Sequence, residues 1–202
     1  PLEAKKVKGG VKRDDGKKRA LTLVELRALR DVALDSELER EVRDLFLCQC
    51  HTGQRISDMP KLFEKNAKFT DIEGQIFIEI VTQKENIRAD VLIDDEAKKI
   101  IDKYRAQGGF RKVKPGTWSS VSLATTVGRV LKEVARKAGL VAEEAWVESV
   151  GGREVRKTAP LWSVISSHWA RHTFVTNKLL EGVAPDDLCA LTGHADDAMI
   201  KG

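Results

Sequence analysis

Between residues 66 and 93 the period of the chain changes from helical to alternating, and the links inside that stretch are too short for anything but antiparallel pairing. The runs FTDI, QIFIEIVT and IRADVLI are rich in β-branched residues and are separated only by EG and QKEN. Parallel strands need a crossover of a dozen or more residues, whereas links this short are tight turns. The stretch predicts a small three-stranded antiparallel sheet, exposed on one side, inside a chain that is otherwise helical.

Helical spacing surrounds it. From Thr22 the sequence TLVELRALRDVAL repeats Leu23, Leu26, Leu29 and Ala33 on one face, and Thr22 with Glu25 forms a capping-box pattern. A second helix is predicted from about Glu37 to His51, with Leu38, Val42, Leu45, Phe46 and Cys50 on one stripe and Gly53 just past its end. Thr52 to Asp58 then reads as a turn. Asp94 and Asp95 head a helix to about Gln107, and the Gly/Pro-punctuated basic loop GGFRKVKPGT follows. Another helix is predicted from about Val121 to Lys137, with Leu123, Val127, Val130, Leu131 and Val134 facing inward. Residues 140–163 read as irregular. Ser166 or Ser167 caps HWARHTFVTNKLLEG, and Pro185 opens a short helix closed by Gly193. The fold class expected is α+β, mostly α: one helical bundle with the small sheet near its start.

With 42% apolar and 33% charged residues over 202 positions, the chain can bury one sizeable core, which excludes disordered, collagenous and disulfide-scaffold classes. No run approaches the roughly 20 apolar residues that span a bilayer, and PLEAKKVKGG lacks the apolar stretch of a signal peptide. Three cysteines without a framework spacing suit a reducing compartment, so the expected location is the cytoplasm. The net charge of +4 is unevenly spread. Residues 1–19 hold eight basic residues against three acidic ones, a net +5, which leaves the body near neutral. A basic arm of this kind suits a polyanion, since each cation near a phosphate releases counterions; it is equally a common solvated tail.

Three polar clusters sit at element boundaries. In Thr52-Gly53-Gln54-Arg55-Ile56-Ser57-Asp58 an Arg on a turn just past a helix can grip two oxygens of a phosphate, and Asp58 can orient its guanidinium. In His168-Trp169-Ala170-Arg171-His172, positions 168 and 171 share a helix face, about 5–6 Å apart at Cβ. In Thr192-Gly193-His194 a turn delivers a His. Lys84 lies at the tip of the QKEN hairpin. Taken singly, each has an ordinary structural explanation: a surface ion pair, a hydrogen-bonded histidine, a helix terminator, a turn lysine.

In this order the clusters resemble the catalytic domain of the tyrosine recombinase, or phage-integrase, family. TGQRISD looks like its first arginine box, TQK in a hairpin like its lysine, HWARHTFVT like its H-x-x-R box and LTGH like its last histidine box. The resemblance covers about residues 20–202 and is greatest to integrases of mobile genetic elements; residues 1–19 look like an interdomain linker. It implies a tyrosine that attacks a DNA phosphodiester to give a 3′-phosphotyrosyl link. Arg55 and Arg171 would hold the non-bridging oxygens, Lys84 would protonate the leaving 5′ oxygen, His168 would help move the tyrosine proton and His194 would hydrogen-bond the phosphate. Neither ATP nor a metal ion is implied. Double-stranded DNA is the implied partner, contacted also by Arg111, Lys112 and Lys114 of the basic loop and by Arg129. Four protomers would assemble on DNA, while this chain alone is expected to be a monomer. It would work on the bacterial nucleoid, away from membranes.

The sequence departs from the family pattern in one place. The family's tyrosine falls about nine residues after His194, at the position following Gly202, and the only tyrosine present, Tyr104, lies in a helix ahead of the H-x-x-R box. Tyr104 therefore reads as a packing or surface residue. The expectation is a chain that stops just before the nucleophile, lacks the family's N-terminal DNA-clamping domain and does not cleave DNA on its own. Two alternatives keep the same residues: a binding-only DNA protein on this scaffold, and a type IB topoisomerase, which usually has Lys where His168 stands. Zinc chemistry from His168 and His172 would need Glu at position 169, and Cys48-x-Cys50-His51 lies within a helix rather than a knuckle.

Overall fold

The computed structural model describes residues 19–84, 86–113 and 121–193. Helix α1, Leu23–Asp31, starts at the predicted capping box: the Glu25 N–H donates to Thr22 Oγ1 at 3.3 Å and the Thr22 N–H to Glu25 Oε2 at 2.8 Å. Helix α2, Glu37–Thr52, ends where Gly53 turns left-handed at φ 67°. Its second half is buried on all sides, Leu45 through Cys50 included, rather than along one stripe. The reason lies in its neighbours: α1, α4 (Asp95–Ala106), α5 (Val121–Lys137) and α7 (Ser167–Leu180) all pack around it, making α2 the axis of the core. A single-turn helix α3, Met59–Phe63, follows the Arg55 turn and is a feature the sequence reading omitted.

Strands β1 (Phe69–Ile72), β2 (Gln75–Val81) and β3 (Arg88–Ile93) form the expected antiparallel sheet in sequence order. The pairs Ile78↔Val91 and Ile80↔Ala89 lie on the buried face, and Glu79↔Asp90 on the exposed one. The β2–β3 loop is closed by hydrogen bonds in both directions between the Thr82 and Ile87 main chains and side chain, Thr82 N–H to Ile87 O at 2.8 Å and Ile87 N–H to Thr82 Oγ1 at 3.1 Å. Asp94 caps α4 by accepting from the Ala97 N–H at 2.8 Å. Of the inward residues predicted for α5, Val127, Val130, Leu131 and Val134 are buried; the side chain of Leu123 lies outside the description.

Residues 140–163 are not irregular. They contain the antiparallel hairpin of β4 (Glu143–Val150) and β5 (Arg153–Pro160), then the one-turn helix α6 (Leu161–Val164). Gly151 and Gly152 make its two-residue turn, with φ 59° and 79°, the conformation that favours glycine. After α7, helix α8 (Pro185–Thr192) is the last of the described elements, and its Leu188 forms a second small core with Phe174. Among the described residues no helix is long and apolar enough to cross a membrane.

Candidate active site

Four close contacts between chain segments far apart in sequence bring the polar clusters to one place. The first joins the end of α2 to α7. The Arg171 guanidinium, 8% exposed, donates from Nη1 to the Gly53 carbonyl at 3.1 Å. One helical turn further on, Phe174 lies so close under Gly53 that a Cβ there would stand 2.4 Å from the ring. Gly53 is thus glycine for two reasons, its left-handed backbone and the ring beneath it.

The second contact joins the same turn to α8. Gln54 is fully buried, and its Nε2 donates to the Thr52 carbonyl at 3.1 Å and to the Leu191 carbonyl at 2.8 Å. The Gln49 amide in turn holds the Gln54 carbonyl at 3.2 Å. These bonds fix the backbone on either side of Arg55, which is half-buried. The third contact sets the end of α8 on the hairpin: a Cβ on Gly193, itself left-handed at φ 65°, would meet Thr82 Cγ2 at 2.4 Å. The fourth returns from the hairpin to the first turn. Asp58, fully buried, accepts from the Gln83 N–H at 2.7 Å and from Lys61 Nζ at 3.1 Å through the same Oδ1, and Lys61 also donates to the Val81 carbonyl.

The turn that carries Arg55 and Asp58, the hairpin of Lys84, the first turns of α7 with His168 and Arg171, and Gly193 at the end of α8 are therefore held next to one another. Lys84 and His168 are exposed. His194 and Lys114 lie outside the described residues, as does the basic arm up to residue 18. The bonds seen at Asp58 Oδ1 reach the lysine-bearing hairpin, a positioning task beyond the orientation of Arg55 that the sequence suggests. Arg55, Lys84 and Arg171, carried on adjoining segments, are side-chain types suited to binding phosphate oxygens. Gln54, Thr82 and Phe174 carry no functional signal in the sequence. Only the glycines opposite two of them left a trace in sequence.

Arg111 and Lys112 are not part of this cluster. Their loop sits on the first half of α2, where the buried Glu41 carboxylate accepts the backbone N–H groups of Arg111, Lys112 and Val113 at 2.7, 2.8 and 2.6 Å. Glu41 to Gly53 is about 18 Å along the helix. Arg111 and Lys112 point to solvent near Glu37, and Arg129 is exposed on α5.

Tyr104 is 2% exposed, stacks on Phe110 with centroids 3.9 Å apart and donates to Asp44 Oδ2 at 2.9 Å. Burial, the Asp44 charge and that hydrogen bond push its hydroxyl well above the ordinary tyrosine range. Burial likewise raises the Cys48 and Cys50 thiols. His51 Nδ1 is 2.7 Å from Asp94 Oδ2. Among the described residues no three His, Cys, Asp or Glu side chains are grouped to hold a metal.

No family model matches the chain, and no curated protein matches it in sequence. Solved structures do. XerH site-specific recombinase bound to its difH substrate, in a pre-cleavage complex, matches with a TM-score of 0.60 and 16% identity over 90% of this chain and 49% of that one. XerA recombinase matches at 0.55 and 17%, over 90% and 57%. The Tn1549 transposon integrase in complex with circular intermediate DNA matches at 0.57 and 17%, over 91% and 61%. The chain spans about half to three-fifths of the structures it resembles. The chain shares its fold with these recombinase and integrase structures, α+β and mostly α, with the small antiparallel sheet as anticipated.

Proposed function

We propose that this chain is the catalytic domain of a site-specific tyrosine recombinase that breaks and rejoins double-stranded DNA. The observation that supports the reading is the closed circuit of contacts, Gly53 to Arg171, Gln54 to Leu191, Gly193 to Thr82 and Asp58 to Gln83, which holds together the segments bearing Arg55, Lys84, His168 with Arg171, and Thr192-Gly193. A solvated tail or an isolated surface ion pair has no need of such a circuit.

Each residue has a chemical task in this reading. Arg55 and Arg171 bind the two non-bridging oxygens of the scissile phosphate, whose charge grows in the five-coordinate transition state; losing one such donor costs on the order of 100- to 1000-fold in rate. A tyrosine oxygen, from the position following Gly202, attacks phosphorus while the bond to the 5′ oxygen breaks. Lys84 gives that oxygen its proton, and His168 helps take the tyrosine's. His194 hydrogen-bonds the phosphate. The 3′-phosphotyrosyl ester keeps the energy of the broken bond, so the 5′-hydroxyl of another strand reverses the step without ATP. Three protein cations at the phosphate supply the charge that a metal would otherwise bring. Residues 1–19 serve as the linker from a DNA-clamping domain, four protomers act on two duplexes at the nucleoid, and the isolated chain is a monomer.

The test uses the full-length gene product and a duplex selected from a random pool by binding to it, nicked beside each candidate phosphate and incubated in EDTA. A covalent protein–DNA band on a denaturing gel is expected, and Lys84→Ala should remove it while binding survives. Tight binding without a band at any nick would support the binding-only reading instead. Supercoil relaxation without site preference would favour a topoisomerase.

A further inference from the structure

The residue that joins the basic arm to the folded body is itself tied into the helix that carries His168 and Arg171. Arg19 uses four of its five N–H donors within one pocket: Nε to Glu144 Oε1 at 2.6 Å, Nη1 to the Ala20 carbonyl and to Glu25 Oε2 at 2.9 Å each, and Nη2 to Glu25 Oε1 at 2.6 Å. Its guanidinium carbon lies 5.7 Å from the ring centre of Trp169, the residue that follows His168 on α7. Two residues on, the buried Leu21 donates its N–H to Thr173 Oγ1 at 2.9 Å, and Thr173 donates to the Trp169 carbonyl at 2.7 Å. Residues 19–21 thus form a strap across α7. The strap is anchored at both carboxylates, Glu25 at the start of α1 and Glu144 at the base of the β4–β5 hairpin.

We infer that the Arg19–Glu25–Glu144 clasp is a positioning device that sets α7, and with it Arg171, against the Gly53 turn. The inference rests on the recombinase reading for its effect on rate, and on geometry alone for its effect on α7. A bidentate Arg–carboxylate pair fixes orientation as well as distance, which a lysine or a single ion pair does not. The second carboxylate brings in the hairpin, which would otherwise be a two-stranded ribbon of marginal stability. The clasp therefore couples two segments remote in sequence, residues 19–25 and the β4–β5 hairpin, to α7.

Glu144 separates this role from DNA contact. Removing a carboxylate cannot weaken attraction to phosphates, so a slower Glu144→Gln enzyme has to act through Arg19. The experiment measures, for Glu144→Gln, Arg19→Ala and their combination in the full-length protein, affinity for the selected duplex, the single-turnover cleavage rate at saturating DNA, and amide exchange across Trp169–Phe174. Glu148→Gln, which breaks an ion pair with Lys157 on the same hairpin, serves as the control. We expect Glu144→Gln to bind within about 2-fold of the unsubstituted protein, to cleave about 10-fold more slowly, and to exchange faster in α7. The double variant should be no slower than Arg19→Ala. Unchanged cleavage and exchange in Glu144→Gln, with Arg19→Ala losing affinity alone, would make Arg19 a phosphate contact and overturn the inference. Faster α7 exchange in a protein that never cleaves would keep the clasp and overturn the recombinase reading.

Discussion

Gly193 and Thr82 approach so closely that a single added methyl on the glycine would stand 2.4 Å from the threonine's methyl carbon. The glycine is also left-handed, which costs an ordinary residue about 1–2 kcal/mol. Gly193→Ala should therefore lose about 2–3 kcal/mol of unfolding free energy, strain and overlap together, as read by urea denaturation. Adding Thr82→Ser, which deletes the methyl, should restore the overlap share and leave the backbone share. An unchanged urea midpoint for Gly193→Ala would contradict the tight seat of α8 on the hairpin.

Asp58→Ala removes the acceptor that holds the Gln83 N–H and Lys61. A hydrogen bond to a buried carboxylate is worth about 1.5–3 kcal/mol, and part of that should appear as lost stability. The larger effect should be on the Lys84 hairpin: strand cleavage falling roughly 10- to 100-fold with DNA affinity nearly unchanged. Parallel losses of affinity and rate would place Asp58 in DNA binding instead.

Tyr104→Phe deletes a hydroxyl that is bound to Asp44 and held protonated. Covalent adduct formation by the full-length protein should persist at the parental level, with stability lower by about 1 kcal/mol. Disappearance of the adduct would make Tyr104 the nucleophile.

Acid should loosen the Arg19 clasp. Burial raises the Glu25 carboxyl, but its hydrogen bonds to Arg19 and Thr22 outweigh this and hold it below its ordinary 4.5. The unfolded chain then binds the proton first as pH falls, so Glu25 contributes stability above about pH 4.5 and loses it as pH drops through the lower folded value. Asp94, lowered by His51 and the Ala97 N–H against its own burial, behaves in the same sense from its ordinary 3.8. Urea midpoints measured from pH 7 to pH 3 should fall across this window, and Glu25→Gln should flatten its upper part. A midpoint rising with acid would reverse the assignment.

Arg111 and Lys112 should act on DNA through charge alone. Replacing both with Ala should weaken binding to specific and random duplexes alike and reduce the log–log salt slope by about 2. Loss confined to the preferred sequence would make them base readers.

The three-stranded sheet was legible because its links are too short to permit another topology. The β4–β5 hairpin was not, although Gly151-Gly152 is a strong turn signal. Its strands EEAWVESV and REVRKTAP carry charge on both faces, because neither face is fully covered, and the alternation that marks a half-buried strand is missing. The all-round burial of α2 was equally hidden: which helices surround it is decided by segments up to the far end of the chain. Around the candidate site, the residues proposed to carry chemistry stood in motifs, while the residues that seat their segments did not. Gln54, Phe174 and Thr82 are ordinary types whose roles come only from what lies opposite. Arg19 looked like the last of eight tail cations.

The bond from Gln54 to Leu191 joins residues 137 apart in sequence, and Leu21 to Thr173 closes 152. Closures of that span come late, after their loop entropy has been met by the packing of everything between. During synthesis, then, the Gly53 turn and the hairpin emerge well before α8 exists to fasten them, and a nascent chain has Arg55 and Lys84 without the contacts that bring their segments together. On the recombinase reading, the competence to grip a phosphate arrives no earlier than α8, as a property of the assembled fold rather than of any part of it.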